Sequence, residues 1–146
     1  MNQEKQKRYD NLYMDIADRV ACMSYARRKQ VGCLIVKDGR IISMGWNGTP
    51  SGDPNECEHV LHDGSLVTKP EVLHAEANAL SKLNRSTDSS AGATMYVTCS
   101  PCLLCAKQIL SCGITEVVYK EYYVNSIGDG IDFLKNRSVN VRPIEE

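Results

Sequence analysis

Two short segments carry the residues best suited to chemistry: His74-Ala75-Glu76 and Pro101-Cys102-Leu103-Leu104-Cys105. One imidazole and two thiolates make a soft-to-borderline donor set suited to tetrahedral Zn²⁺. A structural zinc normally closes with a fourth protein ligand, whereas three ligands beside a carboxylate leave a position open for water. Both segments lie where helices are predicted to begin, and free N–H groups and the helix dipole there favour thiolates. Two residues along a regular helix turn a side chain by roughly 200°. His74 is therefore expected at the helix entry, with Glu76 in the first turn beside the fourth metal position.

H-x-E followed by P-C-x-x-C is a known signature of zinc deaminases. Neither half is specific alone; the order, with a strand between the two helix starts, makes the pair specific. A rival register exists, because Cys99-Ser100-Pro101-Cys102 is also a C-x-x-C and resembles a redox dithiol. Pro101 favours the first helical turn, which sets Cys102 and Cys105 on the helix and Cys99 at a strand end. The redox reading also leaves His74 and Glu76 unused. A zinc-stabilised interaction module, the other rival, requires a fourth protein ligand and a dispensable Glu76.

The elements that position these groups follow from hydrophobic period. Tyr9, Tyr13, Ile16, Val20 and Met23 recur at helical spacing, which predicts a helix over about Tyr9 to Tyr25. Val31 to Val36, the turn Lys37-Asp38-Gly39-Arg40 and Ile41 to Gly45 read as a hairpin. Gly48 to Pro70 is a long polar connection of the kind that more often carries function than not. Next come a helix from near Leu73 to Leu83, a strand over Ala93 to Cys99, and a helix over Pro101 to Cys112 with Gly113 as its stop. Glu116 to Tyr119 and Val139 to Arg142 read as strands around a short helix, Ile131 to Lys135. A hairpin followed by alternating helices and strands predicts an α/β sandwich on a mixed sheet, with right-handed β-α-β crossovers.

The 146 residues read as one domain, with 42% hydrophobic and 24% charged residues in the ordinary globular range. A net charge of -1 argues against polynucleotide or anionic membrane surfaces as partners. No apolar run is long enough to span a bilayer, and the polar opening is unlike a signal peptide. Seven cysteines fit reduced thiols in a cytoplasm better than a disulfide framework. Cys22, Cys33 and Cys112 are expected to be buried small hydrophobes.

Beyond the metal motifs, four segments carry a family resemblance: Arg27-Arg28-Lys29-Gln30-Val31-Gly32, Gly45-Trp46-Asn47-Gly48-Thr49-Pro50, Gly92 to Thr98, and Val118-Tyr119 through Tyr123. The chain resembles the deoxycytidylate (dCMP) deaminases of bacteria and phages, over nearly its whole length. The resemblance implies a cytidine-deaminase-like three-layer sandwich, a five-stranded mixed sheet with helices on both faces. It implies zinc held by His74, Cys102 and Cys105, with Glu76 shuttling protons between water, ring N3 and the leaving amino group. Asn47 would contact the sugar, Ala75 would line the substrate site, and the arginines before the first strand (Arg27 and Arg28, with Arg27 singled out), together with Tyr123, would help hold the 5′-phosphate. It further implies a homohexamer that feeds thymidylate synthesis, is activated by dCTP and is inhibited by dTTP with Mg²⁺. Gly45, Trp46, Asn47 and Gly48 match the family's regulatory element, with Trp46 where a tyrosine is usual. Some phage relatives carry a second zinc in the long connection, where Cys57, His59 and His62 fall here without completing a four-ligand set. Another zinc deaminase, acting on a nucleoside, a free base or a tRNA adenosine, is the neighbouring alternative.

Overall fold

The computed structural model describes residues 1–145. Asn2 opens the first helix, its side-chain oxygen accepting from the Lys5 amide at 2.8 Å, and α1 runs Gln3–Ala21. The helix begins ahead of the expected Tyr9, because Gln3 to Arg8 are good helix formers that lack an apolar stripe for periodicity to detect. It stops short of Tyr25. The Ser24 hydroxyl donates to the Asn47 carbonyl and accepts from the Ala26 amide, offering the backbone a non-helical alternative.

Strands β1 (Gly32–Lys37) and β2 (Arg40–Trp46) pair antiparallel across a tight turn in which Asp38 and Gly39 both hold positive φ. That geometry matches the right-handed twist of the flanking strands. The long connection contains a hairpin not expected from the sequence, β3 (Glu58–Val60) with β4 (Leu66–Thr68). Helix α2 (Ala75–Leu83), strand β5 (Thr94–Cys99), helix α3 (Leu103–Ser111), strand β6 (Glu116–Glu121), helix α4 (Ile131–Lys135) and strand β7 (Asn140–Pro143) complete the chain.

The main sheet has the order β2-β1-β5-β6-β7; β1 is antiparallel to both its neighbours, and β5, β6 and β7 are mutually parallel. Alternation along the central strands divides the core. Leu34, Val36, Tyr96 and Val118 face α1, where Tyr13, Met14, Ala17 and Val20 meet them. Cys33, Ile35, Met95, Val97 and Val117 face the other way, onto Ala79, Leu83, Ile109 and Leu134 of the remaining helices. Strands covered on both faces need apolar residues at successive positions, which is why β1 and β5 read as continuous runs. The result is the three-layer α/β arrangement anticipated above.

One ionic cluster ties the first element to the last. Buried Asp10 on α1 accepts from Arg142 on β7 at 2.7 and 3.1 Å, from Tyr96 at 2.7 Å and from Gln6 at 2.8 Å. Burial alone would raise its pKa, but these hydrogen bonds outweigh it and hold the carboxyl below its ordinary value. Among the described residues no helix is long and apolar enough to cross a membrane.

Candidate metal centre and active-site cavity

His74 is the N-cap of α2 and Cys102 the N-cap of α3, both with extended backbone. Neither side chain caps its own helix. Both turn instead towards a shared point, where Cys105, in the first turn of α3, supplies the third group. Pro101 therefore precedes the helix rather than opening it, and Gly113, with φ of 78°, ends the segment after α3 as expected.

His74 Nδ1 stands 3.2 Å from Cys105 Sγ and 3.6 Å from Cys102 Sγ, and the three donor atoms all lie within 4.8 Å of one another. Ligands of tetrahedral zinc are separated by about 3.5–3.8 Å, given its usual bond lengths. The donor set and its spacing fit zinc. Without a metal, a hydrogen bond from the Cys105 thiol holds Cys102 down to about 4, and bonding to Cys102 raises His74. Metal ligation needs deprotonated thiols and a neutral imidazole, so binding a metal here releases protons.

Glu76 is 5% exposed, and burial pushes its carboxyl up to about 7. A carboxyl poised near neutrality both accepts and returns a proton at modest cost. Cys99 is also buried, with its thiol raised to about 11, and no disulfide links any cysteine among the described residues. Cys102 faces His74 and Cys105, so the redox pairing with Cys99 does not form.

His74, Glu76, Cys99 and Cys102 line the floor of a cavity of about 430 Å³. Asn47, Ala75 and Tyr123 line it, as do Arg28, Lys29 and Lys69 towards its mouth. Arg27 does not line it: its side chain is 61% exposed, turns towards Glu58 at 3.9 Å and borders a neighbouring groove. Lys29 pairs with Glu121 at 2.7 Å and lies over the Tyr123 ring. Ser100 and Tyr123 exchange hydrogen bonds through the Ser100 hydroxyl and the Tyr123 backbone, fixing that wall. Arg28 is one of the two arginines before β1 that the resemblance offered, whereas Ser100 and Lys69 are lining residues that the sequence reading did not single out. Of the latter two only Lys69 had a cue, its place at the end of the long connection.

The Gly45-Trp46-Asn47-Gly48 segment acts on this site within the chain itself. A Cβ on Gly45 would lie 2.5 Å from both the Ala75 carbonyl oxygen and the Ala79 nitrogen, so glycine lets β2 approach α2. The Trp46 carbonyl accepts from Asn78 of α2 at 2.7 Å. Asn47 accepts from the Val31 amide and donates to the Lys29 carbonyl, spending its amide on the loop before β1. Gly48 and Leu73 exchange backbone hydrogen bonds at 3.1 and 2.8 Å, one residue ahead of His74.

Cys57 is buried against the cavity while His59 and His62 are exposed, and they gather into no metal-capable group among the described residues. Of the three cysteines expected in the core, Cys33 is buried, Cys22 is exposed and Cys112 is half-buried. Cys22 lies just past the end of α1, outside the packed face of the helix.

The profile of the cytidine and deoxycytidylate deaminase zinc-binding region matches residues 7–121, which include all three donors and Glu76. The chain belongs to this deaminase family. It is a hydrolytic deaminase with a zinc-binding domain, and its His/Cys/Cys cluster is a candidate for that zinc site. The deaminase is 34% identical to the deoxycytidylate deaminase of Enterobacteria phage T4, over 77% of each chain. It is also 34% identical to that of Saccharomyces cerevisiae, over 92% of this chain and 44% of the yeast protein. Its fold matches the crystal structure of dCMP deaminase from the cyanophage S-TIM5 in complex with dCMP and dUMP. That match has a TM-score of 0.84 and 42% identity, and it covers 98% of both chains.

Proposed function

We propose that this deaminase converts dCMP and water to dUMP and ammonia. The observation that carries the substrate is the charge of the cavity: Arg28, Lys29 and Lys69 line it, and Glu76 is the one carboxylate among its lining residues. A neutral nucleoside gains nothing from those cations, whereas a 5′-phosphate gains charge-assisted hydrogen bonds from them. The phage relative crystallised with dCMP and dUMP supports the same substrate.

In this reading residues 1–146 form one catalytic domain. His74 Nδ1 and the sulfurs of Cys102 and Cys105 hold zinc, which supplies Lewis acidity and brings the pKa of water down towards neutrality. Glu76 accepts the proton of the attacking water and delivers it to ring N3 as water adds at C4. Glu76 then takes the proton of the new C4 hydroxyl and passes it to the amino group, which departs as ammonia as the C4 carbonyl forms. Ala75, Asn47 and Tyr123 form walls that orient the nucleotide and exclude bulk water. Of the two arginines before β1, Arg28 takes the phosphate-holding part.

The reading extends to a cytoplasmic homohexamer, activated by dCTP and inhibited by dTTP with Mg²⁺, and the four-segment family resemblance supports it. The decisive assay follows ammonia release from dCMP, deoxycytidine, dCTP and adenosine, with and without dCTP or dTTP. Turnover of dCMP far above deoxycytidine is expected. Equal turnover of the two would remove the phosphate from the reading, and turnover of adenosine alone would replace the substrate class.

A further inference from the structure

The hairpin in the long connection holds one buried carboxylate that the chemistry does not use. Glu58 is 6% exposed, and its Oε2 accepts from the backbone amides of both Arg27 and Arg28, at 2.8 and 3.0 Å. Glu58 and Thr68 are register partners across β3 and β4, so their side chains lie on one face of the hairpin. Thr68 uses that placement to accept from Arg28 Nη1 at 3.3 Å. A single cross-strand pair thus grips Arg28 at both ends, by its amide and by its guanidinium. Thr68 and its neighbour Val67 line the cavity together with Arg28.

We propose that Glu58 is a positioning residue for recognition of the anionic end of the substrate, fixing Arg28 at the cavity mouth with Thr68 as its second hold. The inference rests on the phosphate reading given above. Arg28 follows no regular element, since α1 ends at Ala21 and β1 begins at Gly32. No helix or ladder bond therefore sets its direction, and the two amides satisfied by Glu58 do so instead. A carboxylate accepting two N–H bonds makes strong, charge-assisted contacts. Removing it leaves both donors in a poorly hydrated site. The hairpin thereby selects for a charged substrate while touching none of the reacting atoms.

The test compares wild type, Glu58→Gln, Glu58→Ala and Thr68→Val, measuring kcat and KM on dCMP and on deoxycytidine together with bound zinc. Glu58→Ala is expected to raise KM for dCMP and to lower kcat/KM by about ten- to hundredfold. Its deoxycytidine turnover and zinc content should stay at wild-type levels. Glu58→Gln keeps an acceptor oxygen and should recover most of the loss. Thr68→Val, a conservative change at an exposed position, should lose severalfold on dCMP alone. Equal losses on both substrates, lost zinc in Glu58→Gln, or unchanged dCMP kinetics in Glu58→Ala and Thr68→Val would each overturn the assignment. A wild-type enzyme indifferent to the phosphate would instead sink the substrate reading, and this inference with it.

Discussion

Replacing Gly45 with alanine separates two accounts of the Gly45–Gly48 segment. The added Cβ would stand 2.5 Å from the Ala75 oxygen and the Ala79 nitrogen, both backbone atoms of the metal-bearing helix. Neither can rotate away as a side chain would. Reaching ordinary van der Waals contact requires β2 and α2 to part by about 1 Å, and overpacking of this kind costs about 1–3 kcal/mol of stability. A shift of about 1 Å at Ala75 also moves its neighbours His74 and Glu76, and misplacement on that scale costs about a hundredfold in rate. Steady-state ammonia release, bound zinc and the thermal midpoint should all fall in Gly45→Ala, with or without effectors. Gly48→Ala supplies the contrast: a Cβ there meets nothing within 4 Å and φ is not positive, so activity should stay within about threefold of wild type. Full activity and an unchanged midpoint in Gly45→Ala would refute the packing argument. Loss confined to effector-dependent activity would return the segment to a purely regulatory role.

Three further outcomes are expected. Glu76→Gln should keep zinc and substrate binding yet lose about a thousandfold or more in kcat, since proton transfer by a placed carboxylate contributes on that order; substantial turnover in that variant would overturn the assignment. Chelation should abolish activity and added zinc restore it without refolding, because the donors already lie within 4.8 Å of one another. Circular dichroism before and after chelation checks that the fold persists. Asp10→Asn should destabilise by about 2–3 kcal/mol at neutral pH, below the full cost of breaking a buried pair because Arg142 is partly exposed and keeps Glu116. The Asp10 pKa is depressed in the folded state, so its contribution is complete above the unfolded value and is lost as pH falls through the folded one. The gap in denaturant midpoint between wild type and Asp10→Asn should therefore narrow on going from pH 6 to pH 3.

The metal donors were legible because they sit in contiguous motifs, where chemistry and spacing are both printed in the chain. Strands β1 and β5 were legible because burial on two faces demands unbroken apolar runs. The hairpin at Glu58 was not: its strands are three residues each, too short for alternation to register, and most of their side chains are exposed. The preference for Arg28 over Arg27 was equally hidden, because it depends on a carboxylate some thirty residues away. Gly45 was visible as a motif residue, but its reason lies in the approach of a strand to a helix, which no local pattern encodes. Cys22 looked like core from its apolar neighbours and lies outside because α1 ends one residue before it.

The Gly48–Leu73 exchange has an architectural consequence. The chain departs for residues 49–72 and returns to the same point, closed by two backbone hydrogen bonds that no side chain supplies. Everything between is an excursion clasped at its root, resting on the cavity without contributing a strand to the main sheet or a donor to the metal. Such an excursion can lengthen, shorten or change its charges while the clasp holds His74 in place. Reaction and choice of substrate are thereby carried by separable stretches of one chain, so what the mouth admits can drift while the chemistry at the floor stays put.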